Sequence, residues 1–305
     1  MFILEAEMEG ILLALVPMFA WGSIGFVSNK IGGTAKQQTL GMTFGAFVFA
    51  LIVFLIRQPQ LSFPIFLIGF LGGFIWAIGQ SGQFHSMKYL GVSVAGPLSA
   101  GSQLVLAAMI GVFIFHEWTQ NIQYILGFIA ILALVIGFYF SAKRDPENSI
   151  AVEKHHYVRG LICLAYSTLA YVSYVILFNN LSDLWFNIHF DTLTIIFPMS
   201  IGMVVGAFVL SGGDIKMEAV VFKNISVGLM WGIGNVFMLL AASLAGNAIA
   251  FSFSQLGVII STIGGILFLG EKKTKKELGY IIVGTVLFII GAVLLAIVKA
   301  KGINN

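Results

Sequence analysis

The chain has 305 residues, of which 59% are hydrophobic and only 10% are charged, and its mean hydropathy is +0.99. This composition excludes a water-soluble domain, which needs far more polar surface, and it predicts an integral membrane protein. The net charge of +3 does not indicate nucleic-acid binding, because the basic residues lie in short segments between apolar runs.

Ten apolar runs follow one another along the chain, and each is long enough to cross about 30 Å of hydrocarbon as a helix. They lie near residues 10–28, 38–56, 64–84, 93–114, 122–141, 160–178, 192–211, 220–241, 247–268 and 277–298. Glutamates rather than basic residues precede the first run, so we expect it to remain as a helix and not to be cleaved as a signal peptide. The predicted fold class is therefore all-α integral membrane, with ten transmembrane helices.

The two halves of the chain resemble each other. The segment GMTFGAFV at residues 41–48 returns as GMVVGAFV at 202–209, and Trp76 and Ser99 match Trp231 and Ser254 at one common offset. Because each half has five helices, an odd number, the second half must be inverted relative to the first, as in many alternating-access transporters. We predict a first five-helix repeat at 1–142, a cytoplasmic linker at 143–159 and a second five-helix repeat at 160–305.

The basic residues are distributed unevenly between the two sides of the membrane. The loops after odd-numbered helices contain all of the 16 lysines and arginines except Arg57, Lys299 and Lys301. Since cytoplasmic loops carry an excess of such residues, these loops are predicted to be cytoplasmic and both termini to be outside. The lysines between 272 and 276 are predicted to act as a topology determinant, with contact to anionic lipid as the alternative.

Polar and aromatic side chains occur in the centres of the predicted helices, which lack acidic and basic residues. Helix 3 carries Trp76, Gln80 and Gln83 on one face, and helix 8 repeats the pattern with Trp231 and Asn235. Such groups are costly in lipid unless they face a cavity or a partner helix. An indole ring can stack on the apolar face of a sugar while amides bind its hydroxyls, so we predict a sugar-binding cavity here, with helix packing as the alternative.

Four further residues are predicted to line this cavity. Gln103 and Gln255 lie about one turn inside helices 4 and 9, and Trp21 and Tyr171 lie on helices 1 and 6. The serines of helices 4 and 9, among them Ser99, are expected to pack between helices instead.

Titratable side chains near a predicted cavity mouth are few in the first half. His85 and Lys88 end helix 3, and Glu117 ends helix 4. Proton coupling through His85 or Glu117 is a hypothesis. Glu117 also matches Glu271 in the repeat, which favours a shared structural role at a helix end.

The sequence contains no motif of enzyme chemistry: it lacks a phosphate-binding loop, HExxH, a nucleophile elbow and CxxC. Its one cysteine, Cys163, can form neither an internal disulfide nor a metal cluster. We therefore expect no enzyme activity, no cofactor and no metal.

Several stretches resemble the drug/metabolite transporter superfamily and, within it, the bacterial glucose/ribose porter family. They are PMFAWGS at 17–23, WAIGQSGQ at 76–83, FSFSQLGV at 251–258 and LGEKKT at 269–274. The resemblance implies a multi-pass protein of the bacterial plasma membrane that imports a neutral monosaccharide, glucose above all, by proton symport with alternating access.

Other functions remain open at this point. Ribose uptake by the same mechanism, a sugar facilitator, and export of another small metabolite fit the same superfamily fold. The expected partners are a monosaccharide, protons and membrane lipid. Because both repeats lie in one chain, a monomer is sufficient.

Overall fold

The computed structural model describes residues 2–143, 145, 154–182, 187–212 and 216–303. Within these residues, ten helices are long and apolar enough to cross a membrane. We number them in the order of the predicted helices: α1 (Phe2–Ile31), α2 (Ala35–Arg57), α3 (Phe63–Leu90), α4 (Val92–Phe113), α5 (Asn121–Ala142), α6 (Lys154–Ile176), α7 (Thr192–Ser211), α8 (Ala219–Lys223 continued by Ile225–Ala245), α9 (Asn247–Gln255 continued by Gly257–Phe268) and α10 (Lys275–Ile303).

The predicted all-helical membrane fold is thus confirmed, although the helix ends differ from the prediction by up to eight residues. The largest shift is at α1, which begins at Phe2 rather than near residue 10, and α3 continues to Leu90. Six residues that we assigned to the linker, 154–159, form the first turns of α6. The rest of that linker, apart from Lys143 and Asp145, lies outside the described residues.

One glycine connects α3 to α4, and one connects α8 to α9. Gly91 and Gly246 both have a φ of 83°, with ψ values of 157° and 153°. Residues that carry a Cβ rarely adopt this backbone conformation. Each hairpin can turn within a single residue because that residue is glycine. The same device therefore joins the equivalent pair of helices in each half.

The helices pack mainly across the two halves. α3 packs on α6 and α7, and α8 packs in the same way on α1 and α2. α5 lies along α10, and α4 contacts α9. Each of these pairings is matched by the pairing of the helices five places along the chain.

The repeated GxxxG segments lie where helices of the two halves cross. A Cβ on Gly45 would overlap the carbonyl oxygen of Ile225 in α8, and one on Gly202 would overlap that of Phe70 in α3. Gly73 of α3 lies equally close to the carbonyl oxygen of Met199 in α7. Small residues let two backbones approach in this manner, and the close approach brings α3 and α8 to the centre of the molecule.

Candidate substrate-binding cavity

A cavity of about 440 Å³ lies between α1, α3, α4, α6, α8 and α9. Its volume is within the range of small-molecule sites. All nine residues predicted to bind substrate line it: Trp21, Trp76, Gln80, Gln83, Gln103, Tyr171, Trp231, Asn235 and Gln255. They come from six helices, three in each half, so the cavity lies between the halves.

The cavity wall is uncharged. Among the residues that line it there is no aspartate, glutamate, lysine, arginine or histidine. Its polar groups are amides, hydroxyls and indole nitrogens, and the remainder are glycine, alanine, aliphatic, methionine and aromatic residues. A charged ligand would lose its hydration here without gaining a counter-ion, so the wall suits a neutral polar molecule.

Aromatic rings from both halves meet at the cavity. The ring centroids of Trp76 and Trp231 are 5.4 Å apart with an interplanar angle of 58°, and Tyr171 approaches Trp76 edge-on at 6.0 Å. The indole nitrogen of Trp21 donates a hydrogen bond of 3.3 Å to the carbonyl oxygen of Trp231. These contacts hold each ring in one orientation, because a tilted or edge-on arrangement is the favoured geometry of aromatic pairs.

Two matched glycines make room for the rings of α1 and α6. A Cβ on Gly79 of α3 would lie 2.8 Å from the Tyr171 ring, and one on Gly234 of α8 would overlap the Trp21 indole. Tyr171 therefore packs against the α3 backbone as Trp21 packs against that of α8. Each half thus lays an aromatic ring against a glycine of the other half.

The amides of the first half form one continuous hydrogen-bonded series. The Tyr171 hydroxyl donates to Oε1 of Gln80 at 2.7 Å, and Nε2 of Gln80 donates to Oε1 of Gln83 at 3.2 Å. Nε2 of Gln83 then donates to the hydroxyl of Ser99 at 2.8 Å, and Nε2 of Gln103 donates to the same hydroxyl at 3.0 Å. Buried polar groups that are satisfied in this way are rigid.

On α8 and α9, two polar groups of the cavity wall bond to their own helices instead. Nδ2 of Asn235 donates to the carbonyl oxygen of Trp231 at 2.8 Å, and the hydroxyl of Ser254 donates to that of Phe251 at 2.7 Å. The two walls therefore contain similar residue types but differ in how their polar groups are held.

His85 and Glu117 lie outside the cavity lining. Nδ1 of His85 is 2.7 Å from the carbonyl oxygen of Ser81, one turn earlier in α3. Glu117 is exposed beyond the end of α4, and its backbone N–H bonds to the carbonyl oxygen of Gly111 at 3.0 Å. Its counterpart Glu271 accepts hydrogen bonds from the first residues of α4, including one of 2.5 Å from the Val92 backbone N–H. A carboxylate at a helix N-terminus stabilises that helix.

Comparison with known proteins identifies the family. A family model described as "Sugar transport protein" matches residues 12–298. This chain belongs to the sugar transport protein family. Two relatives carry the name "Putative sugar uptake protein": one from Lactococcus lactis subsp. lactis is 73% identical over 97% of this chain, and one from Streptococcus pyogenes serotype M6 is 58% identical over 96%, each covered over its whole length.

The fold is also seen in a solved structure. A crystal structure with 13% sequence identity superposes with a TM-score of 0.61 and covers 97% of this chain and 99% of the other. At that identity the likeness concerns the fold alone.

Membership of the sugar transport family makes this protein a transporter rather than an enzyme, in a multi-pass membrane arrangement.

Sequence analysis of this sugar transport protein missed three kinds of residue that support or line the cavity. Ser99 was assigned to helix packing, yet it joins two amides of the cavity. Gly79 and Gly234, the positions against which the rings lie, were not predicted as part of the site. Met87 and Phe251 line the wall and carry no signal that separates them from other apolar residues of their helices.

Proposed function

We propose that this protein is a secondary transporter that imports a neutral monosaccharide, with glucose as the first candidate and ribose as the second. The uncharged cavity carries the proposal, since it combines tryptophan rings from both halves with a series of amides. Trp76 and Trp231 offer indole faces to the C–H face of a sugar ring. Gln80, Gln83 and Asn235 offer donors and acceptors to its hydroxyls.

We further propose alternating access between two inverted repeats. The cross-half pairing of α3 with α6 and α7, matched by that of α8 with α1 and α2, supports such a symmetry. A cavity between two repeats can open to one side or the other when they rock against each other. Because one chain supplies both halves of the cavity, a monomer is sufficient for this cycle.

Two modes of energy coupling are compatible with sugar import. The family resemblance favours proton symport, for which His85 and Glu117 are the proposed titratable groups of the first half. Facilitated diffusion is the second candidate, and the lack of ionisable carboxylates among the cavity residues favours it. In either mode we propose cytoplasmic loops after the odd-numbered helices, with both termini outside the plasma membrane and membrane lipid around the helices.

Uptake of labelled glucose and ribose into proteoliposomes, with and without an inward proton gradient, tests the proposal. Accumulation above equilibrium that requires the gradient would indicate symport, and loss of this requirement in His85→Ala or Glu117→Gln would assign the coupling group. Equilibration that ignores the gradient would indicate a facilitator. Absence of uptake of either sugar, in vesicles where the purified protein is folded, would contradict sugar import and leave export of another metabolite as the alternative.

A further inference from the structure

Two amides of the cavity wall converge on one buried hydroxyl. Ser99 of α4 is fully buried and accepts a hydrogen bond from Gln83 of α3 at 2.8 Å and from Gln103 of α4 at 3.0 Å. A serine hydroxyl has two acceptor lone pairs, and these two N–H groups occupy both. Ser99 is therefore the common anchor of two side chains that line the cavity.

The anchor determines which polar atoms the wall can offer to a ligand. Gln83 is held at both ends, because its Oε1 accepts a hydrogen bond from Gln80 and its Nε2 donates to Ser99. Gln103 donates through Nε2 to the same hydroxyl, which leaves its Oε1 as an acceptor for another donor. Without Ser99, each amide could rotate and exchange its donor and acceptor ends, and a ligand would have to order both side chains on binding.

The second half has no equivalent anchor among the described contacts. Ser254, which matches Ser99 in the repeat, donates to the backbone carbonyl oxygen of Phe251 in its own helix. The residue that matches Gln83 is Met238, which has no amide. Hydrogen bonding of serine to its own helix is common in membrane helices, so Ser254 represents the packing role that was expected for both serines.

We propose that Ser99 is a positioning residue for the substrate, which holds Gln83 and Gln103 in one orientation for the hydroxyls of the sugar. The inference rests on the proposed sugar transport. It assigns recognition of the hydroxyl pattern mainly to the wall of the first half, whose donors and acceptors are already ordered before the sugar arrives.

The test compares Ser99→Ala with Ser200→Ala, which makes the same change at a fully buried serine of α7 that does not line the cavity and that donates to the carbonyl oxygen of Phe197 in its own helix. Sugar binding is followed by quenching of the cavity tryptophans and by the KM of uptake, with Vmax recorded separately. We expect Ser99→Ala to raise Kd and KM about tenfold, because two hydrogen bonds that order the wall are lost. Ser200→Ala should change them by no more than about twofold, since it removes a bond within its own helix away from the cavity.

A double-mutant cycle separates positioning from a general effect on packing. Once Gln103→Leu has removed one of the two anchored amides, adding Ser99→Ala should cost clearly less than it does in the wild-type protein. The proposal would be overturned if the effects of Gln103→Leu and Ser99→Ala on Kd simply multiply, or if Ser99→Ala and Ser200→Ala have equal effects on Kd. If Ser99→Ala does not fold, Ser99→Cys leaves no cavity but accepts hydrogen bonds only weakly, and an unchanged Kd in that variant would equally overturn the proposal.

The same assay distinguishes failure of sugar transport from failure of the proposed role of Ser99. Wild-type protein that neither takes up sugar nor shows quenching refutes sugar transport itself. Wild-type protein that transports sugar, with serine variants indistinguishable from each other, refutes only the role of Ser99.

Discussion

Trp76 has aromatic neighbours on two sides of the cavity, Trp231 and Tyr171, although only 3% of its own surface is exposed. A ring that is held by two others loses little conformational freedom when a ligand stacks on it. Little of the ligand's binding free energy is therefore spent on ordering this side chain. At the scale of single residues, the affinity for a sugar therefore depends on how firmly each ring and amide is held before binding.

We expect Trp76→Phe to raise the KM for the transported sugar about five- to tenfold, because a smaller ring offers less stacking surface. Trp118→Phe is the matched control: Trp118 is also buried, but it packs on Tyr124 and Phe128 and lines no part of the cavity. Uptake kinetics in proteoliposomes measure both variants. Equal KM values for the two would contradict a role of Trp76 in binding.

At the scale of helices, the decisive feature is the close crossing of α3 with α7 and of α2 with α8. Gly73 and Gly202 lie against backbone carbonyl oxygens of the facing helix, and Gly45 does so at the equivalent crossing. Backbone cannot rotate away as a side chain can, so a Cβ at these positions must push the helices apart. Because α3 and α8 carry the cavity residues, such a displacement would reach the substrate site.

Gly73→Ala is expected to lower the unfolding temperature in detergent, with a destabilisation of about 1–3 kcal/mol from the forced helix displacement. Gly279→Ala in α10 is the control, because nothing lies within 4 Å of a Cβ there and alanine is the better helix former by up to about 1 kcal/mol. Thermal unfolding of both variants measures the difference. Unfolding at the same temperature would show that α3 and α7 are not in backbone contact at Gly73.

At the scale of the whole molecule, the orientation of the ten helices determines which loops face the cytoplasm and which face the outside. Gln60, in the loop after α2, and Lys275, the first residue of α10 after the loop that follows α9, are both exposed. The two loops follow an even-numbered and an odd-numbered helix and are therefore predicted to lie on opposite sides of the membrane. The distribution of lysine and arginine along the chain predicts that Gln60 lies outside and that Lys275 lies on the cytoplasmic side.

In a Cys163→Ala background, a membrane-impermeant thiol reagent should label Gln60→Cys in intact cells and should label Lys275→Cys only after permeabilisation. The Cys163→Ala protein itself serves as the control for background labelling. The reverse pattern would invert the proposed orientation, and with it the side from which the sugar enters the transport cycle.

Much of the fold could be predicted because insertion into a membrane is a local property. A run of about 20 apolar residues forms a spanning helix whatever its neighbours are, so all ten helices were found, and the hydropathy misplaced their ends by up to eight residues. The nine predicted cavity residues also proved to share one cavity, since polar and aromatic side chains in lipid need a cavity or a partner helix to face. Whether they bind a sugar stays a prediction.

The sequence alone determined the helical membrane class, the number of spans and which side chains avoid lipid, because each follows from hydropathy within a short window. Only the tertiary structure decided that Ser99 anchors Gln83 and Gln103, that Gly79 lies against Tyr171, and that Glu271 meets the start of α4. These contacts join different helices, and Glu271 and Tyr171 lie far along the chain from their partners. Such distances follow from how closely neighbouring helices pack, which no local pattern specifies.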